Sequence, residues 1–352
     1  MLEELDVCFE TAAKNWIEWA QTRSRRPIKP TSVPTVKSAL RNYINPHIGN
    51  LPLSKIHNGT CKPIVEAMKK AKLSSSAMNS YLNIVKVVCK SVINGETGEP
   101  AFPKKWNATF LDMPVIEHNK QPCLTKEQVE KVLEKSESEE QWLLFLLLAS
   151  TGLRIGECLA LEWRHVSNDA RSLTIEQKVN RFGKIEKSLK TKAGSRVVDV
   201  DPLVSVYLMA ARSEGLLFRT REKTPHLAGN IERRWLRSSV RGSFHQFRRW
   251  RNTHLRSVSC QPDILHFWMG HKGGEKGEAM SELYSKLSRD RAFRLKESEK
   301  CGLGFEIKRP MYETMPRVQT AHFVIRPEGV RQVRYQGGRV VRVRNRRQTV
   351  KA

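Results

Sequence analysis

Leu143-Leu-Phe-Leu-Leu-Leu-Ala-Ser-Thr-Gly-Leu-Arg-Ile-Gly-Glu157 opens as an unbroken apolar run and closes on an arginine set between Leu153 and Ile155. The run from Leu143 to Ala149 is far shorter than the roughly 20 residues that cross a bilayer, so it reads as a core helix ending at Thr151-Gly152. An arginine at the edge of such a helix calls for an anion, because arginine is almost never buried without a partner. Glu157, three residues on, is one candidate by helical spacing; an external anion is the other.

The rest of the composition narrows that anion. With 352 residues, 39% of them hydrophobic, the chain has length for two domains, or for one large domain with an appendage, and can bury a real core. The formal charge of +26 costs stability through self-repulsion unless a polyanion neutralises it, and nucleic acid fits better than a membrane surface. No basic amphipathic helix with an aromatic face stands out to favour the membrane. Cysteines 8, 61, 89, 123, 158, 260 and 301 are scattered and odd in number, which argues against a disulfide framework or a structural zinc site. The N-terminus Met-Leu-Glu-Glu-Leu-Asp lacks the basic and apolar regions of a signal peptide, so a cytoplasmic, nucleoid-associated location is expected.

Working outward, residues 9–22 carry apolar side chains at helical spacing. A basic Pro-containing loop runs from Arg23 to Pro34, and a second helix extends to about Tyr43 before the turn Asn45-Pro-His-Ile-Gly-Asn50. Two more helices are expected near 60–71 and 77–93. The latter is capped by Ser74, Ser75 or Ser76, with Tyr81, Ile84, Val85, Val88 and Val92 on one side. These make an all-helical domain over 1–110. Gly95, Gly98, Pro100, Pro103, Pro114 and Pro122 then break every periodicity, and a linker is expected at 111–124.

Thr125-Lys-Glu-Gln128 has the form of a capping box and opens a second domain, 125–308. Between Leu173 and Val200 the pattern changes to three β-like runs, Leu173–Val179, Ile185–Lys190 and Arg196–Val200, separated by turn-like residues. The chain is therefore expected to be mainly α (α+β), with one small three-stranded antiparallel sheet in the second domain. Residues 309–352 form an arginine-rich extension in which the stretches around Gln336-Gly-Gly338 resemble a basic hairpin. An isolated hairpin is marginal in water. No internal repeat is evident.

Taken singly, the ionisable residues of the second domain have ordinary explanations. Arg154 can pair with Glu157, a lysine on a hairpin tip is usually solvated, and His245 and His271 can be structural histidines. Their order carries more. An apolar helix, Thr151-Gly-Leu-Arg-Ile-Gly-Glu157, a β-region with Thr191-Lys192 at its last turn, His245-Gln-Phe-Arg248, Gly270-His271 and Tyr284 follow one another. This succession resembles the tyrosine recombinase (phage integrase) family across residues 125–300, and Tyr43-Ile-Asn-Pro-His-Ile-Gly-Asn-Leu-Pro-Leu-Ser-Lys-Ile56 resembles its core-binding domain.

The resemblance implies a helical core-binding domain followed by a mostly helical catalytic domain, and a chemistry. Tyr284 is the nucleophile that forms a 3′-phosphotyrosyl intermediate. Arg154 and Arg248 clamp the non-bridging oxygens of the phosphate. Lys192 is the general acid, with Lys190 as the alternative on the strand. His245 handles the tyrosine proton, His271 donates to the phosphate, and Glu157 supports Arg154. No cofactor, metal or ATP is expected, since side-chain cations supply the charge and the phosphotyrosine conserves the broken bond. Tyr312 and Tyr335 are weaker nucleophile candidates, and the interval from His271 to Tyr284 is a few residues longer than is usual in the family. No arm-binding domain is expected before Phe9.

Around this set, Arg233, Arg234, Arg237, Arg241, Arg249, Arg251 and Arg256 crowd the approach to His245 and are expected on phosphates, where most protein–DNA contacts fall. Arg23, Arg25, Arg26, Lys86 and Lys90 are expected helpers from the first domain; a plain solvated basic face is the alternative for all of them. The apolar segment Cys301–Ile307 suits either a cyclic contact with a neighbouring subunit or packing on its own domain. The expected partners are double-stranded DNA, further copies of the chain in a tetramer on two sites, and accessory DNA-bending proteins. Type IB topoisomerase-like nicking and closing, or silent DNA binding, are the rival readings.

Overall fold

The computed structural model describes residues 5–25, 27–116, 122–187, 195–233, 243–270 and 287–310, and beyond these the backbone of four short strands between 324 and 341. The chain forms two compact units, Met1–Gln121 and Pro122–Ala352, each with its own apolar core. Among the described residues, no helix is long and apolar enough to cross a membrane.

The first unit is helical throughout. Helix α1 (Phe9–Thr22) buries Phe9, Ala12, Ala13, Trp16, Ile17 and Ala20, the stripe that a 3.6-residue period puts on one face. Helix α2 (Val33–Ala39) does not stop near Tyr43 but widens into a π-helical turn, Leu40–Ile44, and continues as α3 (Asn45–Ile48). Pro46 explains the widening: it has no N–H to donate, and the wider turn lets Asn45 N–H reach Leu40 O instead. Helices α4 (Asn58–Lys70) and α5 (Ser75–Ser91) complete the unit, the second capped by Ser74, whose Oγ accepts from Ala77 N–H. Of the stretch expected as a linker, Leu111 is buried in this first core and Met113 packs against it. Phe102 and Trp106, just upstream, pack there too.

The second unit is built around one helix. Helix α6 (Lys126–Glu134) opens with the reciprocal Thr125–Gln128 capping bonds, and α7 (Glu139–Thr151) is buried at every position from Gln141 to Thr151. Each fully buried leucine of α7 contributes roughly 1.5–3 kcal/mol. On one side Phe145 stacks on Phe247 with ring centroids 5.6 Å apart; on another, Trp142 meets Tyr207 edge-on at 4.9 Å. Helix α7 ends at Gly152, whose φ of 68° is the left-handed cap that glycine adopts without strain. A Cβ there would also sit 2.9 Å from Met269 Cε.

After the short α8 (Ile155–Cys158), the described residues of the β region form four strands in two two-stranded antiparallel sheets, the first β-like run being divided between both. Strand β1 (Ser172–Ile175) pairs with β4 (Arg196–Asp199), and β2 (Lys178–Val179) with β3 (Ile185–Glu186). The first run is interrupted because Gln177 is buried, its Nε2 donating to Ala160 O and Glu162 Oε1, both at 2.7 Å. Helices α9 (Pro202–Ala210), α10 (Ala228–Ile231), α11 (His245–Ser257), α12 (Pro262–Met269) and α13 (Arg291–Cys301) close the unit. Cys301, Leu303 and Phe305 are buried in the unit's own core, so the segment considered for a subunit contact packs at home. In the extension, β5 (Val324–Arg326) pairs with β6 (Gly329–Arg331), and β7 (Arg334–Gln336) with β8 (Arg339–Val341).

A buried polar network joins the sheet to the last helices. Asp199 Oδ2 accepts from Trp268 Nε1 at 2.9 Å and Arg294 Nε at 2.7 Å, while its Oδ1 accepts from Ser172 Oγ at 2.8 Å. The Asp199 and Arg294 side chains are only 0% and 6% exposed, so neither charge has water to fall back on. Asp199→Ala is expected to leave Arg294 unpaired and to cost roughly 3–5 kcal/mol, read as a lowered thermal midpoint. An unchanged midpoint would remove this network from the account of the fold.

Candidate active site

Arg154 is the N-cap residue of α8, in extended conformation, and the geometry closes locally on Glu157. Its backbone N–H donates to Glu157 Oε2 at 3.1 Å and its Nη1 to Oε1 at 2.8 Å. The spacing Arg-Ile-Gly-Glu has a reason at each position. Gly156 is required because a Cβ there would lie 2.7 Å from Val179 O, so α8 presses directly on the backbone of β2. Glu157 is buried, whereas the Arg154 side chain is 43% exposed, a fixed base with an open cation. On its inner side Glu157 meets a second arginine: Arg196 of β4 donates through Nη2 to Oε2 at 2.9 Å, and through Nε to Trp268 O at 2.7 Å. Burial pushes the Glu157 carboxyl up, but Arg196 and then Arg154 outweigh it, and the net displacement is downward.

Helix α11 brings the next pair. Phe244 and Phe247 pack against Phe145 of α7, which fixes the rotation of the helix and aims Arg248 inward. Arg248 Nη1 donates to Gly152 O at 3.0 Å and Nη2 to Met269 O, the C-terminal ends of α7 and α12. Burial, then repulsion from Arg154, pull its pKa down to about 10, with Glu157 opposing. It stays charged at neutral pH, beside a second cation, and an anion arriving there relieves that repulsion. His245, the first residue of α11, is exposed, and its pKa lies below the ordinary 6.5 through partial desolvation and the charges of Arg249, Arg248 and Arg154. The structure thus brings together Arg154, Glu157, Arg248 and His245.

Lys192, its alternative Lys190, His271 and Tyr284 lie outside the described residues, as do Arg26, Arg234, Arg237 and Arg241. The elements flanking them are described: β4 resumes at Arg196, α12 ends at Met269, and the chain is again described from Leu287, where Arg294 Nη1 donates to Ser288 O at 2.7 Å.

The basic residues expected on DNA divide. Arg251 is corrected: it is 3% exposed, its Nη1 donates to Gly302 O at 2.6 Å, and burial draws its pKa down to about 10. It falls four residues after Phe247 and four before Leu255, so helical period alone places it on the buried stripe. Arg256 is exposed and Arg249 half-buried, with Nη1 on Pro122 O; Arg233 is exposed and donates to Gly229 O and Asn230 Oδ1. In the first unit Arg25 and Lys90 are exposed. Arg23 lies over the Trp19 ring and Lys86 over the Trp106 ring.

The residue that sequence reading missed is Arg196. It was absorbed into a β-like run, although its position in step with Val198 puts a charge on the inward face of a strand. Among the described residues, one trio offers metal-ligand atoms close together, Cys260, Glu297 and Cys301, and it includes none of the site residues.

The model of the phage integrase family matches residues 122–279, and that of the phage integrase N-terminal SAM-like domain matches residues 8–69. The chain belongs to the phage integrase family. The catalytic match stops at residue 279, short of Tyr284. Among solved structures, the integrase of transposon Tn1549 in complex with a circular intermediate DNA aligns with a TM-score of 0.61 at 16% identity, covering 79% of this chain and 98% of that one. A lambda integrase dimer bound to a COC′ core site aligns at 0.55 and 13% identity, covering 80% and 96%. A lambda integrase tetramer bound to a Holliday junction aligns at 0.54 and 15%, covering 78% and 80%. At these identities the likeness is one of fold. None of the curated proteins matches the chain.

The electrostatics of this integrase site are open to titration. A folded-state pKa below 6.5 for His245 means that the unfolded chain takes up the proton first as pH falls. The corresponding stability is complete above 6.5 and is lost as pH falls through the folded value. Histidine-selective NMR is expected to give His245 a midpoint below 6.5, shifted upward by Arg249→Gln. A midpoint at or above 6.5 in the native protein would contradict the placement of the arginines around it.

Proposed function

We propose that this chain is a site-specific recombinase that cuts and rejoins double-stranded DNA through a covalent 3′-phosphotyrosyl intermediate. The observation that carries the reading is the pairing of Arg154 and Arg248, each anchored by its own acceptors and near enough for Arg154 to depress the pKa of Arg248. Two guanidiniums held together against their repulsion match the two non-bridging oxygens of a phosphodiester. As negative charge grows on the pentacoordinate transition state, both are already in position to receive it.

The nucleophile in this reading is Tyr284. Its phenolate oxygen bonds to phosphorus while the bond to the 5′ oxygen breaks, and that oxygen leaves with a proton from Lys192 or Lys190. His245, held neutral at pH 7 by its desolvated and cationic surroundings, receives the phenol proton. His271 donates a hydrogen bond to the same phosphate. Attack by the freed 5′ hydroxyl of another strand reverses the steps and releases the tyrosine.

The first unit serves as the core-binding module, and residues 309–352 as a basic extension beyond the catalytic domain. Further copies of the chain assemble as a tetramer on two duplexes, in line with the lambda integrase tetramer on a Holliday junction. Accessory DNA-bending proteins belong to the same reading, as does a nucleoid-associated location.

Incubation with nicked DNA carrying the chain's site is expected to trap an SDS-stable adduct, absent with Tyr284→Phe. Arg154→Ala is expected to lose ~10²–10³-fold in cleavage rate while keeping most of its DNA affinity. Normal binding by the wild-type protein with no adduct would end the reading. Strand exchange between two duplexes, as against relaxation of a supercoil, separates a recombinase from a nicking-closing enzyme.

A further inference from the structure

The carboxylate that fixes Arg154 creates an electrostatic difficulty. A guanidinium and a carboxylate at 2.8 Å sum to zero, so Arg154 and Glu157 alone would present a neutral pair to an incoming phosphate. Arg196 changes the sum. Its Nη2 and Nη1 reach Glu157 Oε2 at 2.9 Å and Oε1 at 3.4 Å, and its side chain is 1% exposed. The trio carries one net positive charge, and the exposed member of it is Arg154, at 43%.

Arg196 also faces the far side of the site. Its Nε donates to Trp268 O at 2.7 Å, one residue before Met269, whose carbonyl accepts from Arg248. A single side chain from β4 therefore touches the anchor of one arginine and the helix end that anchors the other. Among the described residues Arg196 is 1% exposed and meets Arg154 through the buried Glu157 carboxylate, which pairs with both.

We propose that Arg196 is a positioning residue for the strand-cleavage step: it neutralises Glu157, so that the carboxylate holds Arg154 in place without cancelling its charge. The proposal rests on the phosphoryl-transfer reading above. Its alternative is that Arg196 only fills the core as half of a buried ion pair, which would affect folding and not the charge presented to phosphate.

The two are separable by changing the charge of the substrate. Full-length protein carrying Arg196→Gln, Arg196→Lys, Glu157→Gln or the double change Arg196→Gln/Glu157→Gln is assayed for adduct formation on nicked DNA. The scissile group is either the natural phosphodiester or an uncharged methylphosphonate. On the phosphodiester, Arg196→Gln is expected to cleave ~10²–10³-fold slower, the scale for losing one charge-stabilising group, with DNA affinity nearly unchanged. The double variant, in which Glu157 no longer quenches Arg154, is expected to recover at least about tenfold over Arg196→Gln, on that same scale. On the methylphosphonate, whose lost charge no longer needs Arg154, wild type and Arg196→Gln are expected to converge.

Equal losses on both substrates, or a double variant no faster than Arg196→Gln, overturn the proposal. If Arg196→Gln does not fold, Arg196→Lys decides: it keeps the neutralising charge and is expected to cleave the phosphodiester within about tenfold of wild type. A loss of ~10²–10³-fold on the phosphodiester with a folded Arg196→Lys overturns the proposal. Absence of any adduct with the wild-type protein would instead be a failure of the recombinase reading.

Discussion

Two helix ends meet on one guanidinium. Arg248 takes the carbonyl of Gly152 at the end of α7 and that of Met269 at the end of α12, so the last turns of two helices from distant parts of the chain share one cation. Helix C-termini carry partial negative charge from their unpaired carbonyls, and a buried cation there is stabilised by both dipoles at once. Arg154 comes two residues after Gly152 at the first of these ends, and His271 comes one residue after Gly270 at the second. Both glycines that close the helices, Gly152 and Gly270, are in the left-handed conformation, which lets the chain turn sharply away while the carbonyls stay pointed at Arg248.

Much of this was legible in the sequence because it is local. The core helix α7, the Thr125–Gln128 capping box and the Arg154–Glu157 pair are each made by residues close in sequence, and periodicity or cap chemistry specifies them directly. What escaped is what depends on tertiary placement. Arg196 and Glu157 are far apart in sequence, and only folding brings the strand against α8. The split of the β region into two pairs has the same origin, since Gln177 turns inward to reach carbonyl and carboxylate acceptors on another segment.

Arg248 and Arg251 show how charge alone misleads. They sit one turn apart on α11, both almost fully buried, and both donate to backbone carbonyls. Arg248 lies among the other cations of the site, whereas Arg251 reaches the Gly302 carbonyl beyond α13 and helps fix that helix end. Counting arginines along the helix assigns them one role; the acceptors they find assign them two.

The Asp199 carboxylate has a consequence for chain length. It binds Trp268 near the end of α12 and Arg294 near the start of α13, so the chain leaves for residues 271–286 and returns from them at one shared anchor. The positions of the two ends are then set by the anchor and not by the number of residues between them. Doubling the length of a flexible connection costs only about 0.6 kcal/mol in closure entropy. A segment tied at both ends to the same buried charge can therefore gain or lose residues between homologues while its points of departure and return stay where they are.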